Sequence, residues 1–354
     1  NAQQTGVKSI EGAGEHPIDF WIDFKGTIAE NSTPRCAIVR VRYHNYTCEH
    51  DIYVRQGYAP ITIDGNAESD KNPAWASYNV YRFDANNAPV YTKSPLEEGS
   101  LFRRGNRTAI LASNNDRPGF TFGLGPSGSF DVLELGATTP SQKTWSQLAP
   151  SADDVKSRFA SWSIAGDHER IATIEDFYTL ESTSIHSNIG KAYGVLYGDG
   201  ATETQKSVEV ALGYDHNEDP TNSKKGMRGC FVFNINNSHN IFFPIGKSGY
   251  GRRKGMTSNG EKVGALRYAQ RTDYYNNDGT GNIQYVPLFY DLFERPGAIY
   301  QCRNRLSSTG SDVKKSSAFD INYFTMGFEG FENGASNNSD GSDSDACFIR
   351  TVKY

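Results

Sequence analysis

The 354-residue chain contains no run of about 18 apolar residues, so no helical membrane span is written in it. Its formal net charge is -5, without the basic excess that marks a nucleic-acid partner, and no nucleic acid is expected. Cysteine is scarce. Cys36, Cys48, Cys230, Cys302 and Cys347 are widely spaced and form no Cys-x-x-Cys pair, which argues against a zinc site. Most stand in apolar strand patterns and read as small buried hydrophobes; a Cys230–Cys347 bridge is left open. The motifs of catalysis are missing too: there is no His-Glu-x-x-His, no Gly-x-Ser-x-Gly and no Walker A pattern. Asp215-His216-Asn217-Glu218-Asp219 comes nearest to an acid–base cluster, but clustered polarity between strands reads as a loop. Heptads and internal repeats are absent. Asn1 begins without a signal peptide, which says nothing of a mature or truncated product.

What the chain has in abundance is aromatic and turn-forming residues: 20 Phe, 20 Tyr and 35 Gly. This composition favours short strands joined by many turns, as in a secreted or surface β-rich protein. The densest apolar signal is Gly226 to Ile245. Two runs, Cys230–Phe233 and Ile241–Phe243, flank Asn236-Asn237-Ser238, which predicts a hairpin with a longer loop. Both faces of each run are apolar, so the pair belongs inside a domain.

Residues 1–62 carry strand patterns only, at Ile18–Phe24, Cys36–Tyr43 and Ile52–Gln56, the last two forming a hairpin around His44-Asn45-Tyr46. The polar, Gly/Pro-punctuated stretch 63–74 is expected to be a linker. From Trp75 the pattern changes, with short strand signals at Trp75–Val80 and Gly99–Gly105 and a loop-rich stretch over 113–150. Two helices are predicted, one capped by Ser151 and one by Thr173, whose spacing to Asp176 is that of a capping box. Strands follow at Ala192–Tyr197, Val208–Tyr214, Ala298–Tyr300, Phe319–Phe324 and Ala346–Val352.

Two resemblances overlay this pattern. Asn31-Ser32-Thr33-Pro34-Arg35-Cys36-Ala37-Ile38-Val39 and Ile52-Tyr53-Val54-Arg55-Gln56-Gly57 resemble the closing half of an immunoglobulin-like module of the BACON type, found in Bacteroidetes surface proteins. Its opening strands are not in the sequence, and about 60 residues barely bury a core, so the chain is expected to be part of a longer protein. From Trp75 to Tyr354 the order of features resembles the Fibrobacter succinogenes major paralogous domain. The landmarks are Trp75–Val80, Gly99–Phe102, Arg170–Phe177 with Leu180, Phe242-Phe243-Pro244 with Gly249–Arg252, and Cys347–Val352. At the family's Cys-Pro-rich opening of the helical segment this chain has Gly166-Asp167-His168-Glu169. The resemblance implies an α+β, β-rich fold: a C-type-lectin-like domain over 75–354 with two helices and a twisted antiparallel sheet, preceded by a partial immunoglobulin-like β-sandwich. It implies export to the cell surface or outer membrane, as a lipoprotein or fimbrial adhesin, held to the membrane only through a lipid anchor outside these residues. The architectural relation to formylglycine-generating enzymes keeps an oxidase as a third reading; no reactive-cysteine motif accompanies Cys302 or Cys347.

Candidate binding residues follow the central hairpin. Tyr250, Tyr268, Tyr274, Tyr275, Tyr285 and Tyr300 are placed in or beside polar loops, where rings stack on sugars or anchor a protein. Arg252 and Arg253, in the Gly-rich turn Gly246–Lys254, suit an acidic glycan or carboxylate. Asp340, Asp343 and Asp345 offer closely spaced oxygens of the kind calcium takes, without the twelve-residue pattern or its closing Glu. Neither the Glu-Pro-Asn nor the Trp-Asn-Asp signature of calcium-dependent lectins occurs. The expectation is thus a non-enzymatic surface recognition protein or adhesin, without a cofactor, binding a glycan or protein on a host or neighbouring cell. A structural subunit of a surface assembly such as a fimbrial tip is the second reading.

Overall fold

The computed structural model describes residues 22, 25–44, 47–93, 95, 97–103, 105–111, 120–121, 125–126, 129–144, 146–148, 164–166, 168–181, 188–197, 227–244, 251–254, 261–264, 275–277, 283–285, 297–303, 317–322, 327–333 and 346–354. The chain is β-rich and its sheets are antiparallel. It opens with a ribbon, β1 (Arg35–Tyr43) and β2 (Cys48–Gln56). Short strands follow: β3 (Ala74–Trp75), β4 (Val80–Phe83), β5 (Pro89–Tyr91), β6 (Ser100–Arg103), β7 (Ala109–Leu111), β8 (Phe120–Thr121), β9 (Gly125–Pro126), β10 (Ser129–Leu133), β11 (Ser141–Thr144) and β12 (Glu169–Ile171). After the helix α1 (Ile174–Tyr178) come the longer β13 (Ile189–Leu196), β14 (Met227–Asn234) and β15 (Asn240–Pro244). Then β16 (Gly251–Lys254), β17 (Glu261–Gly264), β18 (Tyr275–Asn277), β19 (Ile283–Tyr285), β20 (Gly297–Gln301), β21 (Ser317–Asn322) and β22 (Gly327–Asn333) lead to β23 (Ala346–Cys347) and β24 (Thr351–Lys353).

The predicted central hairpin forms as β14 and β15, with Phe231 opposite Phe242, and β13 adds to its other edge. Its two apolar faces meet two different partners. Cys230, Val232, Ile241 and Phe243 enter the main core with Trp75, Phe177, Tyr300 and Phe348. On the opposite face Phe231 and Phe242 receive Tyr53 of β2, whose ring lies 5.0 Å from Phe231 and 4.7 Å from Phe233. The sheet is therefore buried between the core and the N-terminal ribbon, which accounts for its lack of alternation. Two glycines make room for flat rings: a Cβ on Gly229 would stand 2.3 Å from the Phe242 ring, and one on Gly190 would stand 2.4 Å from Phe233.

The stretch 63–74 is not a free linker. Ile61 and Ile63, two apart and so on one side of an extended chain, are 3% and 2% exposed within the core. Ile61 exchanges both backbone hydrogen bonds with Trp75, and His239 Nδ1 donates to the Thr62 carbonyl at 2.7 Å. Asn237, from the turn between β14 and β15, donates to the Ile63 carbonyl. Burying each isoleucine contributes about 1.5–3 kcal/mol, enough to hold a segment whose polar composition alone suggested solvent.

The loop-rich stretch 113–150 contains a strand pair, β10 with β11, in the five-stranded order β11-β10-β7-β6-β23. Phe130, Val132 and Leu133 bury there, the apolar content that the neighbouring prolines and glycines obscure. The second predicted helix forms with its capping box: Asp176 N–H donates to the Thr173 hydroxyl, and the Thr173 amide donates to the Asp176 carboxylate. The first predicted helix and the strand signals at Ile18–Phe24 and Val208–Tyr214 lie outside the described residues, apart from Ile22. The closing run Ala346–Val352 is two strands rather than one: β23 joins β6, and β24 sits between β12 and β3. No disulfide joins any of the five cysteines, so the Cys230–Cys347 bridge is not made.

Candidate functional site

Of the expected binding residues, Arg252 and Arg253 fall on β16, in register with Val263 and Lys262 of β17, and Tyr275 of β18 is in register with Tyr285 of β19. Tyr250, Tyr268 and Tyr274, with Asp340, Asp343 and Asp345, lie outside the described residues. Tyr300 is a correction. Its ring is 0% exposed, packed between Phe243 at 5.4 Å and Phe348 at 5.8 Å. The hydroxyl donates to the Pro244 carbonyl and accepts from Asn79 Nδ2, both at 3.2 Å. Its place beside a polar loop suggested a binding residue; inside, two polar partners satisfy the phenol, which removes the cost of burying it.

That hydroxyl belongs to a larger arrangement along the edge of β15 that does not face β14. Three carbonyls in succession there accept from side chains: Asn240 from Arg55 Nη1 at 2.8 Å, Phe242 from Arg350 Nη2 at 3.1 Å, and Pro244 from Tyr300. Arg350 is fully buried, donates also to Asn79 Oδ1 and the Ala76 carbonyl, and lies over the Phe243 ring at 4.6 Å. Burial pulls its guanidinium down to about 10. Arg55 is lowered likewise, chiefly by burial. Among the described residues neither cation meets a carboxylate; carbonyl, amide and hydroxyl oxygens stand in for one.

Arg55 carries this frame to the surface. Its Nη2 donates to the Ser77 hydroxyl at 2.7 Å, and that hydroxyl donates to the Tyr58 carbonyl at 2.8 Å. Ser77 and Tyr78 follow Trp75 and Ala76, which are anchored by β3 and by the Ala76 amide on the Thr351 carbonyl. The consequence is a mounted aromatic pair. Tyr58 is 49% exposed and its ring centroid lies 5.3 Å from that of half-buried Tyr78, the planes tilted by 42°. Burial pushes the Tyr78 phenol well above its ordinary range, so it stays a neutral donor. Sequence reasoning passed over both tyrosines because each stands beside turn residues, Gly57 and Ser77, at the margins of a supposed linker.

A second polar cluster ties β5, β12 and β24. The Tyr91 hydroxyl donates to Glu169, beside the Thr351 hydroxyl, which donates to the same carboxylate oxygen at 2.8 Å. Burial raises the Glu169 carboxyl above its usual range. With both hydroxyls aimed at one oxygen the group is a brace between strands. Nearby, Arg170 is clasped between Asp70 and the helix-capping Asp176, at 2.6 and 2.8 Å, and covers the Tyr354 ring.

Among the described residues no three His, Cys, Asp or Glu side chains gather as a metal site, and no helix is long and apolar enough to cross a membrane. No protein-family model matches the chain, and no match is found among curated proteins or solved structures.

Proposed function

We propose that the chain is a non-enzymatic recognition protein of the cell surface, an exported adhesin that binds a glycan or protein on a host or neighbouring cell. Its body is read as a C-type-lectin-like domain and its first strands as the end of an immunoglobulin-like module. The observation that supports recognition is the Tyr58–Tyr78 pair: large rings, one half exposed, held by a hydrogen-bonded route to a buried cation. Aromatic anchors on rigid scaffolds are the usual energetic centres of binding sites, because little side-chain freedom is lost on contact. The described polar clusters at Glu169 and Arg170 are spent on bracing strands.

The test is a broad glycan array probed with the whole chain, with and without calcium. Saturable, selective signals support recognition, and their loss on chelation would bring Asp340, Asp343 and Asp345 into the site. Silence on the array, together with failure to adhere to any cell surface tried, overturns the reading.

A further inference from the structure

We propose that Tyr58 and Tyr78 form a stacking subsite for the ring of an uncharged sugar, flanked by the carboxylates of Glu30 and Glu97 as acceptors for its hydroxyls. This rests on the recognition reading above and deepens it to a ligand class. Two rings 5.3 Å apart and tilted by 42°, one exposed and one half-buried, offer apolar surface of the kind a pyranose covers with its axial C–H groups.

The flanks are fixed by close packing. Gly57, next to Tyr58, presses against Ile28, two residues before the exposed Glu30, so that a Cβ there would stand 2.3 Å from Ile28 Cδ1. On the other side Asn79, next to Tyr78, donates to the Glu98 carbonyl at 2.7 Å and packs against Gly99, whose φ is +90°. Glu97 precedes the Glu98 so held, and its carboxylate accepts from the Lys93 amide at 3.3 Å. Burial and then Tyr58 raise the Tyr78 phenol, Arg55 opposes them, and the charges of Glu30 and Glu97 add smaller raising effects.

The carboxylates of Glu30 and Glu97 oppose an acidic ligand. The cation beneath the pair, Arg55, already donates to Gly57, Ala59, Asn240 and Ser77, so it offers no fork to a sulfate or carboxylate. A prolyl ring stacks on tyrosine as well as a sugar does. What favours the sugar is the pair of carboxylates, which match hydroxyl donors and have no counterpart on a proline-rich strand.

The experiment is calorimetric titration of the whole chain with cellohexaose, mannohexaose and N-acetylchitohexaose as neutral probes, hexagalacturonate as the acidic one and decaproline as the peptide. At least one neutral oligosaccharide should bind. Tyr58→Ala should weaken it by about tenfold or more with the urea midpoint unchanged, and Tyr78→Phe should keep most of the affinity. Glu97→Gln should narrow the preference over hexagalacturonate. Equal or tighter binding of hexagalacturonate, binding of decaproline alone, or no binding by any probe overturns the proposal. Glycan binding that survives Tyr58→Ala also overturns it, while leaving the protein a recognition protein; silence of the array as well would remove both.

Discussion

Arg55 and Arg350 donate to alternate carbonyls, Asn240 and Phe242, on the same edge of β15, so two like charges from opposite parts of the chain lie side by side within the fold. Arg350→Met leaves Asn79 Oδ1 and the Ala76 and Phe242 carbonyls without their donor. Such orphans cost about 1–3 kcal/mol each, partly offset because no charge is then buried. A net loss on the order of 3 kcal/mol is expected as a lower urea midpoint at unchanged slope. Arg350→Lys should recover little of it, since an ammonium cannot span three acceptors. In a double-mutant cycle the pair with Arg55→Met should cost more than the sum of the singles, because each single change already relieves the one repulsion, which the double can relieve only once.

Tyr53→Ala removes the ring that joins the ribbon to Phe231 and Phe233. A loss below the roughly 3–5 kcal/mol of a fully buried ring is expected, because Tyr53 is only partly buried. Proteolysis at low protease concentration should cut first within 44–60 in the variant and not in the parent. Equal protection of both chains would show that the ribbon is not held by this contact.

The Glu169 carboxyl is raised by burial against the opposing effects of Thr351 and Lys353. Below the ordinary carboxylate range folded and unfolded chains are both protonated, and nothing is lost. As pH rises past that range the unfolded chain releases its proton first, so stability falls until the raised folded value is passed. Glu169→Gln should therefore flatten this part of the stability profile and be neutral or stabilising at pH 7. A variant that is less stable at every pH would show instead that the ionised carboxylate is the favoured partner of the two hydroxyls.

Burial pushes the Cys230 thiol up to about 12, and Cys302 and Cys347 are 0% exposed. In the native chain a thiol reagent at pH 8 should label Cys48 first, while these three react only on unfolding. Fast labelling of Cys230 without denaturant would mean that the central sheet opens locally.

The central hairpin and the helix cap were legible because each is a local pattern: two apolar runs about a turn, and Thr173 three residues before Asp176. Ile61 and Ile63 were not, since two isoleucines among Asp64, Gly65 and Pro73 say nothing of the cavity that Trp75 and Phe243 offer them. Arg55 and Arg350 were illegible for a stronger reason. A cation in a strand pattern reads as an outward face, and only the edge of β15, a third segment, turns it inward. Tyr58 and Tyr78 became visible as a pair only once Ser77 linked them, whereas Tyr300, singled out for its polar neighbours, was claimed by the core through Asn79 and Pro244.

The edge of β15 is completed by residues as far apart in sequence as 55 and 350. During synthesis β14 and β15 emerge long before Arg350 does, and until then the Phe242 carbonyl lies on a bare strand edge beside two phenylalanines. Contacts closed over such separations form slowly. A nascent chain halted before residue 350 would therefore present a sticky edge to its neighbours on the same messenger, and its safe passage depends on how quickly the last strands arrive.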